Sequence, residues 1–246
     1  MTAALGGCAA VGVQGYEGAK QTVQDLRPTN LKTHSVAAIK TVQVDRIAVM
    51  PLAENPPQGG EPLAEGASEA VTAELYSQVS LAGGWDIIPQ DDVMQAMQKL
   101  PPTTAANLDE NALKLGKDVS ADAVLYGTVE RYKERVGLDY AAASPASVTF
   151  DLRFADMKTQ QVIWTAKFAK SQKALSQNVL DLANFVQNTG RWVRAHEIAL
   201  EGVKEAVSNL HDNLNLEANI QRFETGTYGQ LKSGRQRYSS GPGGIQ

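Results

Sequence analysis

The chain holds a single cysteine, Cys8, among 246 residues, which excludes an internal disulfide and any cysteine-rich metal site. Histidine is almost as scarce: His34, His196 and His211 lie far apart and show no metal-ligand spacing. An excess of one charge is missing too. Lys and Arg number 23 against 27 Asp and Glu, a formal net charge of -4, so the bulk electrostatic footprint of a nucleic-acid binder is absent. No apolar run approaches the roughly 18 to 20 residues of a membrane-spanning helix. What is present, 43% hydrophobic and 20% charged residues, suffices for one good-sized globular domain with extensions, or at most two small ones.

The lone cysteine sits in Leu5-Gly6-Gly7-Cys8. Leucine three residues ahead and small residues between are the pattern read by lipoprotein-processing machinery, which lipidates the cysteine and makes it the mature N-terminus. A secretory signal also needs a basic segment and an apolar one, and neither lies within residues 1–7. Either residues 1–7 are the remnant of a lipoprotein signal peptide, or Cys8 is an ordinary small residue in a flexible N-terminus. The first reading fits better, with Ala9 rather than Asp after the cysteine suiting the outer membrane. Residues 8–43 lack clear periodicity and read as a lipid-anchored tether.

Ile47 to Met50 form a short apolar run stopped by Pro51, the signature of a strand covered on both sides. Asn55-Pro56-Pro57-Gln58-Gly59-Gly60 then marks a loop. Leu63, Ala67, Val71, Leu75 and Val79 recur every fourth residue, predicting a helix over 61–81 that Gly83-Gly84 ends. Trp85 to Ile88 reads as a short strand. Asp91 or Asp92 then caps a helix carrying Val93, Met94, Met97 and Leu100, which Pro101-Pro102 terminates. A third helix starts near Asp109, and Ala123 to Val129 is a second buried strand expected beside the first. Alternating strands and helices imply crossovers, and so parallel pairing at the sheet centre. Beyond them the period changes to two. Val148, Phe150, Leu152 and Phe154 alternate with Thr149, Asp151 and Arg153; Val162, Trp164, Ala166 and Phe168 alternate with Ile163, Thr165 and Lys167. This is an antiparallel hairpin with one buried face. A short helix is expected over 177–185 and a longer one over 191–214, with Val193, His196, Ala199, Val203, Val207, Leu210 and Leu214 inward. Residues 215–246 read as a flexible tail. The fold class is α/β: a mixed sheet with parallel central strands, an antiparallel hairpin, flanking helices and a long C-terminal helix.

No constellation for catalysis, metal or cofactor emerges. Asp91-Asp92 and Asp109-Glu110 sit at helix starts, where carboxylates complement the macrodipole. Gly59-Gly60 lacks the spacing and Lys of a phosphate-binding loop. Cys8 has no local base to make it a nucleophile. Trp85 and Trp164 read as core or rim aromatics. Trp192, between Arg191 and Arg194, is the candidate partner contact, because aromatic and Arg side chains anchor interfaces.

Arg46 to Leu52, Ala70 to Leu75, Trp85 to Pro89, Ser120 to Val129 and Val148 to Trp164, in that order behind Cys8, together resemble the periplasmic domain shared by the curli secretion lipoprotein CsgG, the penicillin-binding-protein activator LpoB and related outer-membrane lipoproteins. The resemblance covers roughly residues 44–172. It implies a TolB-N-terminal-like α/β module used for protein contacts, without enzyme activity, on the periplasmic face of the outer membrane. It leaves 173–214 as a C-terminal helical extension. Residues 137–146 read as a short turn, and neither 133–148 nor 173–191 holds the long alternating segments of a secretion barrel. An oligomeric secretion channel or collar of the curli-transport type therefore ranks second to an interaction or assembly module. The expected partner is an envelope protein or a second copy of the chain.

Overall fold

The computed structural model describes residues 30–138, 141–172 and 193–214. Ile47 and Val49 face one apolar layer, while Ala48 and Met50 face another, so the run is buried on both sides as its composition predicts. It forms strand β2 (Arg46–Val49), parallel to β5 (Ala123–Lys133), with Ile47, Ala48 and Val49 beside Ala123, Val124 and Leu125. The Asp122 carboxylate clamps the start of this pair. Its Oδ2 accepts from the backbone N–H of Arg46 at 2.8 Å and of Asp45 at 3.1 Å. Pro51 interrupts β2, and β3 (Ala53–Glu54) rejoins β5 at Thr128 and Val129. Across the gap the Leu52 N–H donates to Thr72 Oγ1 at 3.0 Å, so a buried donor is satisfied where the ladder cannot do it.

The remaining strands are β1 (Leu31–Ser35), β4 (Asp86–Ile87), β8 (Ser147–Asp156) and β9 (Gln161–Ser171). The sheet order is β1-β9-β8-β5-β2-β4, with β3 beside β5. β4 is parallel to β2, whereas β8, β9 and β1 add in antiparallel sense. The mixed sheet is thus parallel on one side of β5 and antiparallel on the other. The turn after β8 is held by Asp156, whose carboxylate accepts from the N–H of Lys158 and Thr159 at 3.2 and 3.0 Å.

Helices α1 (Ala67–Ala82) and α4 (Ala195–Asn213) cover one face. Helices α2 (Gln90–Met97) and α3 (Leu108–Asp118) cover part of the other. In α1 the four-residue stripe Ala67, Val71, Leu75 and Val79 is buried, and Gly83 at φ 69° ends it.

Several expectations need correction. Leu31–Ser35, assigned to the tether, is an edge strand: with one buried side chain out of five it gives little hydrophobic signal, and main-chain pairing to β9 holds it. α1 begins only after Gly66, whose φ of 74° breaks the helix, so Leu63 packs from the preceding segment. Pro89, not Asp91 or Asp92, precedes α2, which ends at Met97 and leaves Met94 45% exposed. In place of a turn over 137–146, β6 (Val136–Leu138) pairs with β7 (Ala141–Ser144). α4 starts at Ala195 and is no appendage, because Ile198, Val203 and Leu210 share a core with Phe150 and Phe168. His196 is exposed; the 3.6-residue period puts Ala195, Ile198, Ala199, Gly202, Val203 and Ala206 inward instead. The expected helix at 177–185 and the tail at 215–246 lie outside the described residues.

Gly202 is what lets α4 lie on the sheet. A Cβ there would stand 2.6 Å from two ring carbons of Phe168, and Phe168 is backed by the stacked Phe150 ring at 5.1 Å. Alanine normally favours a helix over glycine by about 1 kcal/mol, yet here the contact dominates. We predict that Gly202→Ala destabilises the protein by about 1–3 kcal/mol, the usual range for overpacking. Denaturant unfolding checks the sign; a more stable variant would show that α4 does not press on Phe168.

Candidate functional site

Two sheet halves are finished differently. Over β2 and the start of β5, Ala48, Met50, Val124 and Tyr126 are buried under α2 and α3. Further along, on that same face of β5, β8, β9 and β1, no described helix lies over the strands. The strand register assembles the surface there. One row runs Tyr126, Arg153, Thr165, His34; the next runs Thr128, Asp151, Lys167, Lys32. The opposite face of these strands carries Leu152, Phe154, Trp164 and Phe168 and is buried under α1 and α4. A two-residue period therefore divides one set of strands into a core face and an open polar face.

The polar face is tied together by ion pairs. Arg153 is the hub: its Nη1 lies 2.7 Å from Asp109 Oδ1 and its Nε 3.2 Å from Asp151 Oδ1. Asp109 stands in the first turn of α3 and also accepts from the Tyr126 hydroxyl at 3.0 Å. Lys167 reaches back to Glu130 at 2.8 Å. Burial, then the Asp109 charge, pushes the Tyr126 phenol well above its usual range, so it stays a donor. Burial also raises the Asp151 carboxyl against the pull of Arg153. Charged groups here are mutually engaged along the surface, with Arg153 held between Asp109 and Asp151.

The sequence-predicted site residues do not meet at this face. Of the expected partner contacts, Trp192 and Arg191 lie outside the described residues, and so does Cys8. Arg194 immediately precedes α4 with its side chain exposed, and its N–H donates to Glu197 Oε2 at 2.7 Å. The adjacent Ala195 N–H donates to Glu134 Oε2 at 3.2 Å, which ties the chain just past β5 to the helix. Trp164 is buried and donates to Asn209 Oδ1 at 3.0 Å. Trp85 donates to the Val79 carbonyl at 3.0 Å and meets His211 edge-on. The Gly60 N–H is spent on the Pro57 carbonyl at 2.8 Å, which leaves Gly59-Gly60 a plain turn. Among the described residues no group of three or more His, Cys, Asp or Glu could hold a metal ion, and no helix is long and apolar enough to cross a membrane. Asp151, Arg153, Thr165 and Lys167 are legible as the polar half of the alternation, but a two-residue period does not say which strands the helices cover.

No family model matches the chain, and no curated protein sequence matches it. Among solved structures, a PelC dodecamer from Paraburkholderia phytofirmans is similar at TM-score 0.44 and 16% identity, over 74% of this chain and 96% of that one. Lipoprotein GNA1162 from Neisseria meningitidis follows at TM-score 0.39 and 21% identity, over 58% and 97%. E. coli LpoB is similar at TM-score 0.37 and 16% identity, over 52% and 59%. At this level the likenesses say nothing about function.

The raised Asp151 carboxyl gives a pH signature. Because the folded protein holds this proton to higher pH than the unfolded chain, stability contributed by the protonated group is lost as pH rises from 3.8, the ordinary value, through the raised one. Asp151→Asn removes that step. Unfolding free energies measured from below pH 3.8 to neutrality should therefore shift in favour of the Asn variant as pH rises. Parallel curves for the two proteins would contradict the assignment.

Proposed function

We propose that the chain is a protein-docking module, held at the periplasmic face of the outer membrane by a lipid on Cys8, that recruits or regulates an envelope assembly and carries out no chemistry itself. The observation that supports this most is the open half of the sheet. Its side chains are ordered by their own ion pairs and spread over four neighbouring strands, β5, β8, β9 and β1, a shape suited to another protein's surface rather than to a small substrate. Leu5-Gly6-Gly7-Cys8 supplies the anchor in this reading. The order of the motifs across residues 44–172 supports the same class of envelope lipoprotein, whose machine is one of secretion, cell-wall synthesis or flagellar assembly.

Two measurements test the two halves of the proposal. Labelled palmitate should enter the wild type and not Cys8→Ser. From mild-detergent extracts the wild type should bring down one envelope protein in stoichiometric amount, and Thr165→Arg with Lys167→Glu should weaken that association roughly tenfold, about 1.4 kcal/mol, with unchanged thermal unfolding. An unlabelled wild type would sink the anchor; a double variant that retains the partner in full would sink the docking face.

A further inference from the structure

The two edges of the sheet carry opposite charge. At one edge, β1 and the 3-10 turn after it, Ala37–Thr41, hold Lys32, His34 and Lys40, all exposed, and residues 31–43 contain no acid. Asp212 on α4 is nearby, beyond the Ser35 hydroxyl that donates to Asn213 at 3.0 Å. At the other edge, β4 and the first turn of α2 hold Asp86, Asp91 and Asp92, all exposed, and residues 83–92 contain no base. Arg46 of β2 stands 3.8 Å from Asp86, whose side chain remains 76% exposed.

Both edges also offer main-chain groups. The Val36 N–H donates to the Ile163 carbonyl, and with the β1/β9 register this phase turns the N–H and C=O of Thr33 outward. Asp86 and Ile88 donate to the Asp45 and Ile47 carbonyls, which turns those of Ile87 outward. β1 runs antiparallel to β9 and β8 to β5, whereas β4 runs parallel to β5 through β2. A copy placed in the same orientation beyond β1 therefore presents β4 in antiparallel sense. Pairing Thr33 with Ile87 of the next copy sets His34 opposite Asp86 and directs Lys32 towards Asp91 and Asp92. It also runs Val36, 37% exposed, towards Leu81, 75% exposed.

We propose that the chain self-associates head to tail, β1 of one copy adding to β4 of the next, so that the sheet continues from copy to copy. Charge selects this arrangement. Two β1 edges brought together would oppose like charges, as would two β4 edges, while the unlike edges attract. The contact is heterologous, so each added copy presents the same edge again and assembly proceeds beyond a dimer. This goes beyond the docking proposal: Lys32 and His34 border the docking face, whereas Asp86, Asp91 and Asp92 lie at the opposite edge and belong to this contact alone.

Sedimentation velocity on the full chain in mild detergent tests it. The wild type should form species larger than a dimer that grow with concentration. Lys32→Glu with His34→Asp makes both edges acidic, and Asp86→Lys with Asp91→Lys makes both basic; each variant alone should be monomeric with unchanged circular dichroism. Mixed in equal amounts, they should recover the wild-type species, because every acidic edge then meets a basic one. Thr165→Arg with Lys167→Glu should assemble like the wild type, separating this interface from the docking face. A monomeric wild type, a limiting dimer, a charge variant that still assembles, or a mixture that stays monomeric would each overturn the proposal.

Discussion

β5 is paired in opposite senses along its two sides, and the rest of the molecule is arranged around that fact. On one side it accepts β2 and β3 in parallel, which requires crossover segments long enough to carry helices. On the other it accepts β8 antiparallel, and a hairpin turn held by Asp156 suffices to add β9. Gly127, in the middle of the strand, is needed because a Cβ would run into the Asp151 carbonyl. Thr72 and Asp122 satisfy the main chain where the parallel ladder starts and breaks.

The open polar face follows from the same asymmetry. α2 and α3 lie in the connection from β4 to β5, so they cover the parallel half. The antiparallel half carries α1 and α4 on one face; on the other, α3 reaches only as far as Arg153 through Asp109, and no described helix lies over Thr165, Lys167 or β1. An apolar surface left open there would invite indiscriminate association. This one is built of Thr, Asp, Arg and Lys. Exposed ion pairs contribute about 0 to 1 kcal/mol each, so Arg153 with its two aspartates does little to hold the fold; its effect is to fix side chains in place ahead of any encounter, which lowers the ordering cost of binding.

How legible this was depended on the kind of signal each element carries. The two buried strands, the hairpin and the α1 stripe stood out because apolar periodicity reports burial directly. β1 did not, since Leu31 alone among its residues turns inward and its place is set by hydrogen bonds to β9. The period of α4 marks it as a helix but not as part of the sheet's core. The helix meets the sheet where Gly202 lies against Phe168, with Ala195 and Ala206 also buried; a hydrophobic stripe does not flag residues so small, and a stripe cannot say which body it packs on. The polar residues Asp151, Arg153, Thr165 and Lys167 are readable as a face away from the core. Asp109 joins it from α3, more than forty positions away along the chain from Arg153, and only the packing of α3 on β5 brings it there.

If the open face is where this protein meets its partner, a photoreactive residue placed there should report it in intact cells. Substituting Thr165 with a photo-crosslinking amino acid should yield one adduct with an envelope protein. The same residue at Ser208, exposed on α4 on the far side of the sheet, should yield none. An adduct from Ser208 with none from Thr165 would contradict the account.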